Sequence, residues 1–132
     1  MSGALVLDSE GLAQAVLRGR EVQEWLEAAR AADLPVITSA VILTEVIHPR
    51  INTAALSWTL SRLRVEPVSQ AIAQSAATLL IGAGLHGHKY AIDALLCATA
   101  LTHPGRVTVL TSDTEDIGLL TAGHPRVTAE KI

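Results

Sequence analysis

The chain contains no phenylalanine, and Trp25, Trp58 and Tyr90 are its only aromatic residues in 132. A core built without aromatic anchors must come from Ala, Val, Leu and Ile, which suits close packing of helices on a sheet. Cys97 is the single cysteine, so an internal disulfide is excluded and a reducing compartment is the expected setting. No apolar run is long enough to span a bilayer. The longest, around residues 71–85, is interrupted by Gln74, Ser75 and Thr78. The N-terminus carries no basic, apolar leader, so a soluble cytoplasmic protein is expected. Lysine is scarce too, with two against eight arginines, and arginine favours bidentate phosphate contacts. The net charge of −3 argues against a nucleic-acid partner only if every acid faces solvent. Were four acids assigned to divalent cations, the remaining surface would be slightly positive.

What is present is an alternation of short apolar runs and helical patterns, with no repeat and no linker. Strands are expected at 4–7, 35–37, near Val65 and at 107–110, with an edge strand at 126–128. Helices are expected at 11–17, 21–32, 40–47, 53–63, 69–82, 91–101 and 113–120. Thr38 and Ser39 read as caps for the third of these, and His48-Pro49 as its end. Gly82, Gly84 and Gly87 loosen the chain before 91–101, which is apolar almost all round and reads as a central helix. The pattern predicts one α/β domain over residues 1–132, an open parallel sheet flanked by helices. In such sheets ligands bind beyond the carboxyl ends of the strands.

Four acids carry the functional reading. Asp8 closes the first strand, where it serves equally as a helix N-cap or as a ligand. Glu45 sits in AVILTEVI among Val41, Ile42, Val46 and Ile47, which predicts a buried carboxylate in need of a partner, in preference to a solvated stripe shared with Leu43 and Thr44. Asp93 is the only charge in YAIDALLCATAL; a first-turn dipole contact explains its tolerance but not its burial. In TSDTED, Ser112 and Glu115 have capping-box spacing, Asp113 follows a strand as Asp8 does and is itself an N-cap candidate, Glu115 reads as structural, and Asp116 is left undecided.

Parallel strands would deliver Asp8 and Asp113 to one edge, and helices starting there would bring Asp93 and Glu45 to it. Four carboxylates in one cleft need counter-cations. Oxygen ligands without a Cys/His constellation select Mg²⁺ or Mn²⁺ over zinc. The five histidines do not form such a constellation: His86 and His88 have the wrong spacing for one helical face, and His48, His103 and His124 are scattered. Phosphodiester hydrolysis is the chemistry that fits such a cation. His86, His88 and Lys89 make either a local phosphate-contacting patch or a solvated loop.

With these residues in place, the segments LVLDSEGL, ITSAVILTEVI, YAIDALLCATAL and VTVLTSDTEDI, in that order from residue 5 to residue 117, resemble the PIN domain family, particularly the VapC-type ribonuclease toxins of bacterial toxin–antitoxin pairs. The resemblance implies a three-layer α/β/α fold with an acidic pocket binding Mg²⁺ or Mn²⁺. It implies that Asp8, Glu45, Asp93 and Asp113 are the metal-binding and catalytic acids, with Asp116 a variable extra acid and Ser9 and Ser112 supporting the pocket. The implied reaction is hydrolysis of RNA by a metal-activated water, leaving a 5′-phosphate. A homodimer, silenced by a cognate antitoxin protein over the active-site groove, is implied with it.

Two alternatives stand beside this. A haloacid-dehalogenase-like phosphatase would use LVLDSEGL as nucleophile loop, Lys89 as its lysine and Asp113 with Asp116 as the late acids. However, Glu10 stands where that chemistry wants a second Asp, and Glu45 and Asp93 are left without roles. The other alternative is a catalytically silent PIN-like module that works by binding a partner.

Overall fold

The computed structural model describes residues 3–132. Five strands form one parallel sheet: β1 (Ala4–Leu7), β2 (Val36–Ser39), β3 (Arg64–Glu66), β4 (Val107–Thr111) and β5 (Val127–Lys131). Their order across the sheet is β3-β2-β1-β4-β5. Seven helices connect them: α1 (Ser9–Val16), α2 (Arg20–Ala31), α3 (Ile42–Val46), α4 (Thr53–Ser61), α5 (Gln70–Ala83), α6 (Gly87–Leu101) and α7 (Thr114–Leu120).

Strand alternation divides the core in two. Leu5, Leu7 and Leu110 pack with Ala15 of α1 and with Val22 and Ala29 of α2. On the other face, Ala4, Val6, Ile37, Val107 and Val109 meet α6 through Leu96, Cys97 and Ala100, and α7 through Ile117. With both faces covered, β1 reads as an unbroken apolar run. This is the open parallel sheet and PIN-like three-layer α/β/α arrangement expected from the sequence. Among the described residues, no helix is long and apolar enough to cross a membrane.

Chain order reverses at β1. From β1 the chain moves outward through β2 to β3, then returns to place β4 on the other flank of β1. The crevice between the carboxyl ends of β1 and β4 is therefore the topological switch point, where open α/β sheets place ligands.

Three local expectations are corrected. Thr38 and Ser39 are strand residues rather than caps, because the Thr38 hydroxyl donates to the Leu7 carbonyl at 2.7 Å and Ser39 is in register with Glu66 of β3. Ladder pairing outweighs capping there, and α3 shrinks to Ile42–Val46. The central helix begins at Gly87, not at 91. Gly84 closes α5 in the left-handed conformation (φ 66°), and α6 starts three residues later and packs along α5. His88 and Lys89 thus lie in the first turn of α6 instead of a loop. The edge strand runs Val127–Lys131, beyond the expected 126–128.

Candidate active site

Asp8 and Asp113 both stand just past central strands, and both are helix N-caps. Asp8 accepts the Gly11 N–H at 2.8 Å and opens α1; Asp113 accepts the Asp116 N–H at 3.1 Å and opens α7. Asp113, and not Ser112, is the cap in TSDTED. A carboxylate has about four lone-pair positions, so capping leaves acceptor capacity on each. The two acids differ sharply in environment. Asp8 is buried, and burial raises its pKa against bonds from the Thr111 hydroxyl and the Gly11 and Ser112 N–H groups. Asp113 is exposed, and the Asp116 N–H lowers its pKa, with help from Lys131 and Lys89. Asp116 is pushed up chiefly by the hydrogen bond it shares with the Asp113 side chain, so the two behave as a carboxyl pair.

Asp93 ties the group together. It is the seventh residue of α6, past the first turn, so the helix N-terminus does not account for it. Half-buried, its carboxyl is pushed up to about 6, first by burial and then by the charges of Asp116, Glu45, Asp113 and Asp8. One side chain senses all four other acids, so the structure brings the five into a single electrostatic cluster at the switch point. Among the described residues the ion pairs are Arg20–Glu24 and His103–Glu66, and neither involves this cluster.

Glu45 needs a correction. It is exposed, as is Thr44, so the solvated stripe is the right description and the burial argument fails. With α3 only five residues long, Ile42 and Val46 supply its buried contacts while Glu45 faces outward and contributes charge to the rim. Ser9 is half-buried at the start of α1. Ser112 is exposed and acts through its backbone, its N–H toward Asp8 and its carbonyl toward Lys131 Nζ at 2.6 Å.

Two residues escaped the sequence reading. Thr111, the buried last residue of β4, accepts the Asp113 N–H at 2.9 Å and hydrogen-bonds Asp8, linking the two strand-end acids. Lys131 is the other. Only the strand register exposes either, since Thr111 lies opposite Leu7–Asp8 and Lys131 opposite Thr111. Gly11 permits the tight seat of α1: a Cβ there would lie 3.2 Å from the Leu110 carbonyl oxygen and 3.3 Å from Leu7 Cβ.

The donor set is all oxygen. The Cys97 thiol, one helical turn beyond Asp93, is buried and pushed up to about 12, which leaves it protonated and outside any metal chemistry near neutral pH. Clustered carboxylates without cationic partners match a hard divalent cation such as Mg²⁺ or Mn²⁺ in charge and donor type. The geometry is open, however. Among the described residues no three of His, Cys, Asp and Glu are close enough to hold a metal ion together. The donor type suits such a cation, while the spacing of the acids does not form a metal cage. A cavity of about 640 Å³ lies elsewhere, bordered by Arg30, Trp58, Arg62 and Arg64 near the amino ends of β2 and β3. The strongly perturbed carboxyls lie at the acid cluster and not at this cavity, so volume and chemistry point to different places, and the acid cluster is the better catalytic candidate.

No family model matches the chain, and no curated protein matches it. Solved structures do. The chain is similar to one in the VapBC2 complex of Rickettsia felis bound to a promoter DNA fragment, at 18% identity and TM-score 0.68, covering 98% of each chain. It is similar to one in a toxin–antitoxin complex from Klebsiella pneumoniae, at 26% identity and TM-score 0.67, covering 98% of this chain and 100% of the other. A third is the FitAcB structure from Neisseria gonorrhoeae, at 22% identity and TM-score 0.65, covering 95% of each. These likenesses support the fold over its full length. They correct the expected assignment to the PIN family of VapC-type ribonuclease toxins. The neighbours are known as two-protein complexes of VapBC and FitAB type, and the chain resembles a component of such complexes and not specifically that toxin.

Proposed function

We propose that this chain is a metal-dependent endoribonuclease working as the toxin of a type II toxin–antitoxin pair, held in check by a cognate antitoxin protein. The observation that carries the enzymatic half is Asp93, a half-buried carboxyl crowded by four other acids and paired with no cation. Such an arrangement is unfavourable unless a positive ligand visits it. The biological half rests on likeness to chains of toxin–antitoxin complexes from three bacteria.

Asp8, Glu45, Asp93 and Asp113 would hold Mg²⁺ or Mn²⁺, with Asp116 as an additional donor. When bound, the cation supplies Lewis acidity and charge neutralisation at the phosphodiester. The chain's own groups have separable tasks. Asp113, with its lowered pKa, stays ionised at the rim. Asp93, raised to about 6 by burial and its acidic neighbours, is the group whose ionised form a cation would stabilise most. Thr111 holds Asp8 and the Asp113 backbone at a set separation. A homodimer in the cytoplasm belongs to the same proposal.

A silent binding module has one observation on its side, the open spacing of the acids. A phosphatase of the haloacid-dehalogenase kind has none, because Asp93 and Glu45 share the rim with Asp8 and that chemistry has no use for them. The test incubates labelled RNA and a chromogenic phosphate monoester with the protein, in Mg²⁺, in Mn²⁺ and in chelator. RNA cleavage that chelator stops, absent in Asp93→Asn, supports the proposal. Monoester turnover, or chelator-insensitive cleavage, overturns it.

A further inference from the structure

The chain has eight arginines and only two lysines, Lys89 and Lys131, and both lysines border the acid cluster. They reach it from different elements, α6 and β5. Lys131 ends β5 in register with Thr111, and its Nζ donates to the Ser112 carbonyl at 2.6 Å, beside Asp113. Lys89 lies in the first turn of α6, four residues before Asp93 and so on the same helical face; its ammonium sits 5.1 Å from the Tyr90 ring centroid. Both are exposed, and among the described residues neither forms an ion pair with a carboxylate. No arginine is among the groups that shift Asp8, Asp93, Asp113 or Asp116.

The choice of cation has a physical reason. An arginine fork would lock onto a carboxylate with two parallel hydrogen bonds and withdraw it from any other ligand. A lysine ammonium is a compact, strongly hydrated point charge on a flexible stem. It can stand beside a carboxylate, leave its oxygens free, and still meet a phosphate with its remaining donors.

We propose that Lys89 and Lys131 form a two-point phosphate clamp that seats a single-stranded RNA backbone across the acidic rim. The assignment rests on the ribonuclease reading, and it adds what that reading lacks, a source of positive charge at the rim of a protein whose net charge is −3. Each lysine takes a phosphate flanking the scissile one, which brings the backbone over the acids despite their repulsion. Lys131 keeps its bond to the Ser112 carbonyl, so its contact is fixed relative to the Asp113 turn. Lys89 is fixed relative to Asp93 by the helix.

The experiment measures binding of a fluorescein-labelled single-stranded oligoribonucleotide by anisotropy, with Ca²⁺ replacing Mg²⁺ so that binding is read apart from turnover. Lys89→Met and Lys131→Met are each expected to weaken binding roughly tenfold. Each should also flatten the dependence of log Kd on log salt by about 0.7, the loss of one counterion-releasing contact on a single strand. Arg64→Met, at the far rim, should leave both quantities unchanged. Weaker binding with an unaltered salt slope would mean that Lys131 only braces the Ser112 turn, and overturns the clamp. A parent protein that cleaves and binds RNA, with lysine variants that bind equally well, overturns the clamp while leaving the ribonuclease reading intact. A parent that neither binds nor cleaves RNA overturns both.

Discussion

Asp93→Asn should abolish activity and at the same time stabilise the protein. The carboxyl is raised from 3.8 to about 6 by burial and by four neighbouring acids. A shift of about two units corresponds to at most roughly 3 kcal/mol of disfavoured ionisation at 1.36 kcal/mol per unit. Because the side chain is only half-buried, solvent screening reduces the expected gain to about 1–2 kcal/mol. The folded-state pKa lies above the unfolded one, so the folded state binds the proton more tightly. The penalty is absent below the unfolded value of 3.8, grows as pH rises through the window to about 6, and is complete above it. Asparagine removes the penalty only where it exists.

Denaturant unfolding in chelator, at about pH 4 and about pH 7.5, reads this directly. The variant and the parent should match at the acidic pH, and the variant should be more stable by about 1–2 kcal/mol at the alkaline one, or roughly 3–8 °C in Tm. Addition of Mn²⁺ should then reverse the order. Cation binding at a hundredfold excess over Kd stabilises the parent by about 2.7 kcal/mol, and the variant gains little. A variant that is less stable than the parent at the alkaline pH, or one whose advantage persists at the acidic pH, would refute the picture of Asp93 as an uncompensated charge.

Cation affinity should follow the same group: titration calorimetry with Mn²⁺ should show affinity falling as pH drops through about 6, with proton release on binding, whereas pH-independent binding would place the ion away from Asp93. Asp113→Asn keeps a good capping oxygen and should unfold within about 0.5 kcal/mol of the parent, while Asp113→Ala loses about 1 kcal/mol. Both should lose RNA cleavage, and full cleavage by the Asn form would remove Asp113 from the machinery. Gly11→Ala forces a Cβ to 3.2 Å from the Leu110 carbonyl oxygen, which a central strand cannot yield, so a net loss of about 1 kcal/mol is expected despite the better helix propensity. An Ala variant as stable as the parent would show that α1 can lift off the sheet.

Much of the frame was legible because the strands obey one rule. A strand buried on both faces must be largely apolar; Ala4–Leu7 is so throughout and Val107–Leu110 in all but Thr108, so the acids that follow them stand out. Helix boundaries were less legible where long-range pairing overrides local preference. Thr38 and Ser39 have capping side chains, yet the sheet between β1 and β3 claims them as strand. Gly87 and His88 make a poor helix start in isolation, yet both belong to α6, which packs along α5. Glu45 misled because apolar neighbours on both sides suggest burial, whereas a five-residue helix has room for only one buried face. Thr111 and Lys131 carried no local signal at all, since their roles come from which strand lies beside which.

The acids divide by what holds them in place. Asp8 and Asp113 have structural occupations as helix caps, so a fold without any chemistry would still retain them. Asp93 has no such occupation: it caps nothing, lies beyond the first turn, and is raised by its neighbours. Burial alone would favour any apolar or amide side chain at its place, and the helix from Ala94 to Ala100 shows how readily that position could be apolar. An acid kept at a site where the fold is better off without it calls for a ligand that compensates it. The caps hold two further carboxylates, Asp8 and Asp113, at the same switch point. Asp8 is also raised by burial, but its cap bonds to the Gly11 and Ser112 N–H groups and the Thr111 hydroxyl offset part of that cost, whereas Asp93 has no such bonds. Stability measurements on the two Asn variants would separate a charge held by the fold from one held against it.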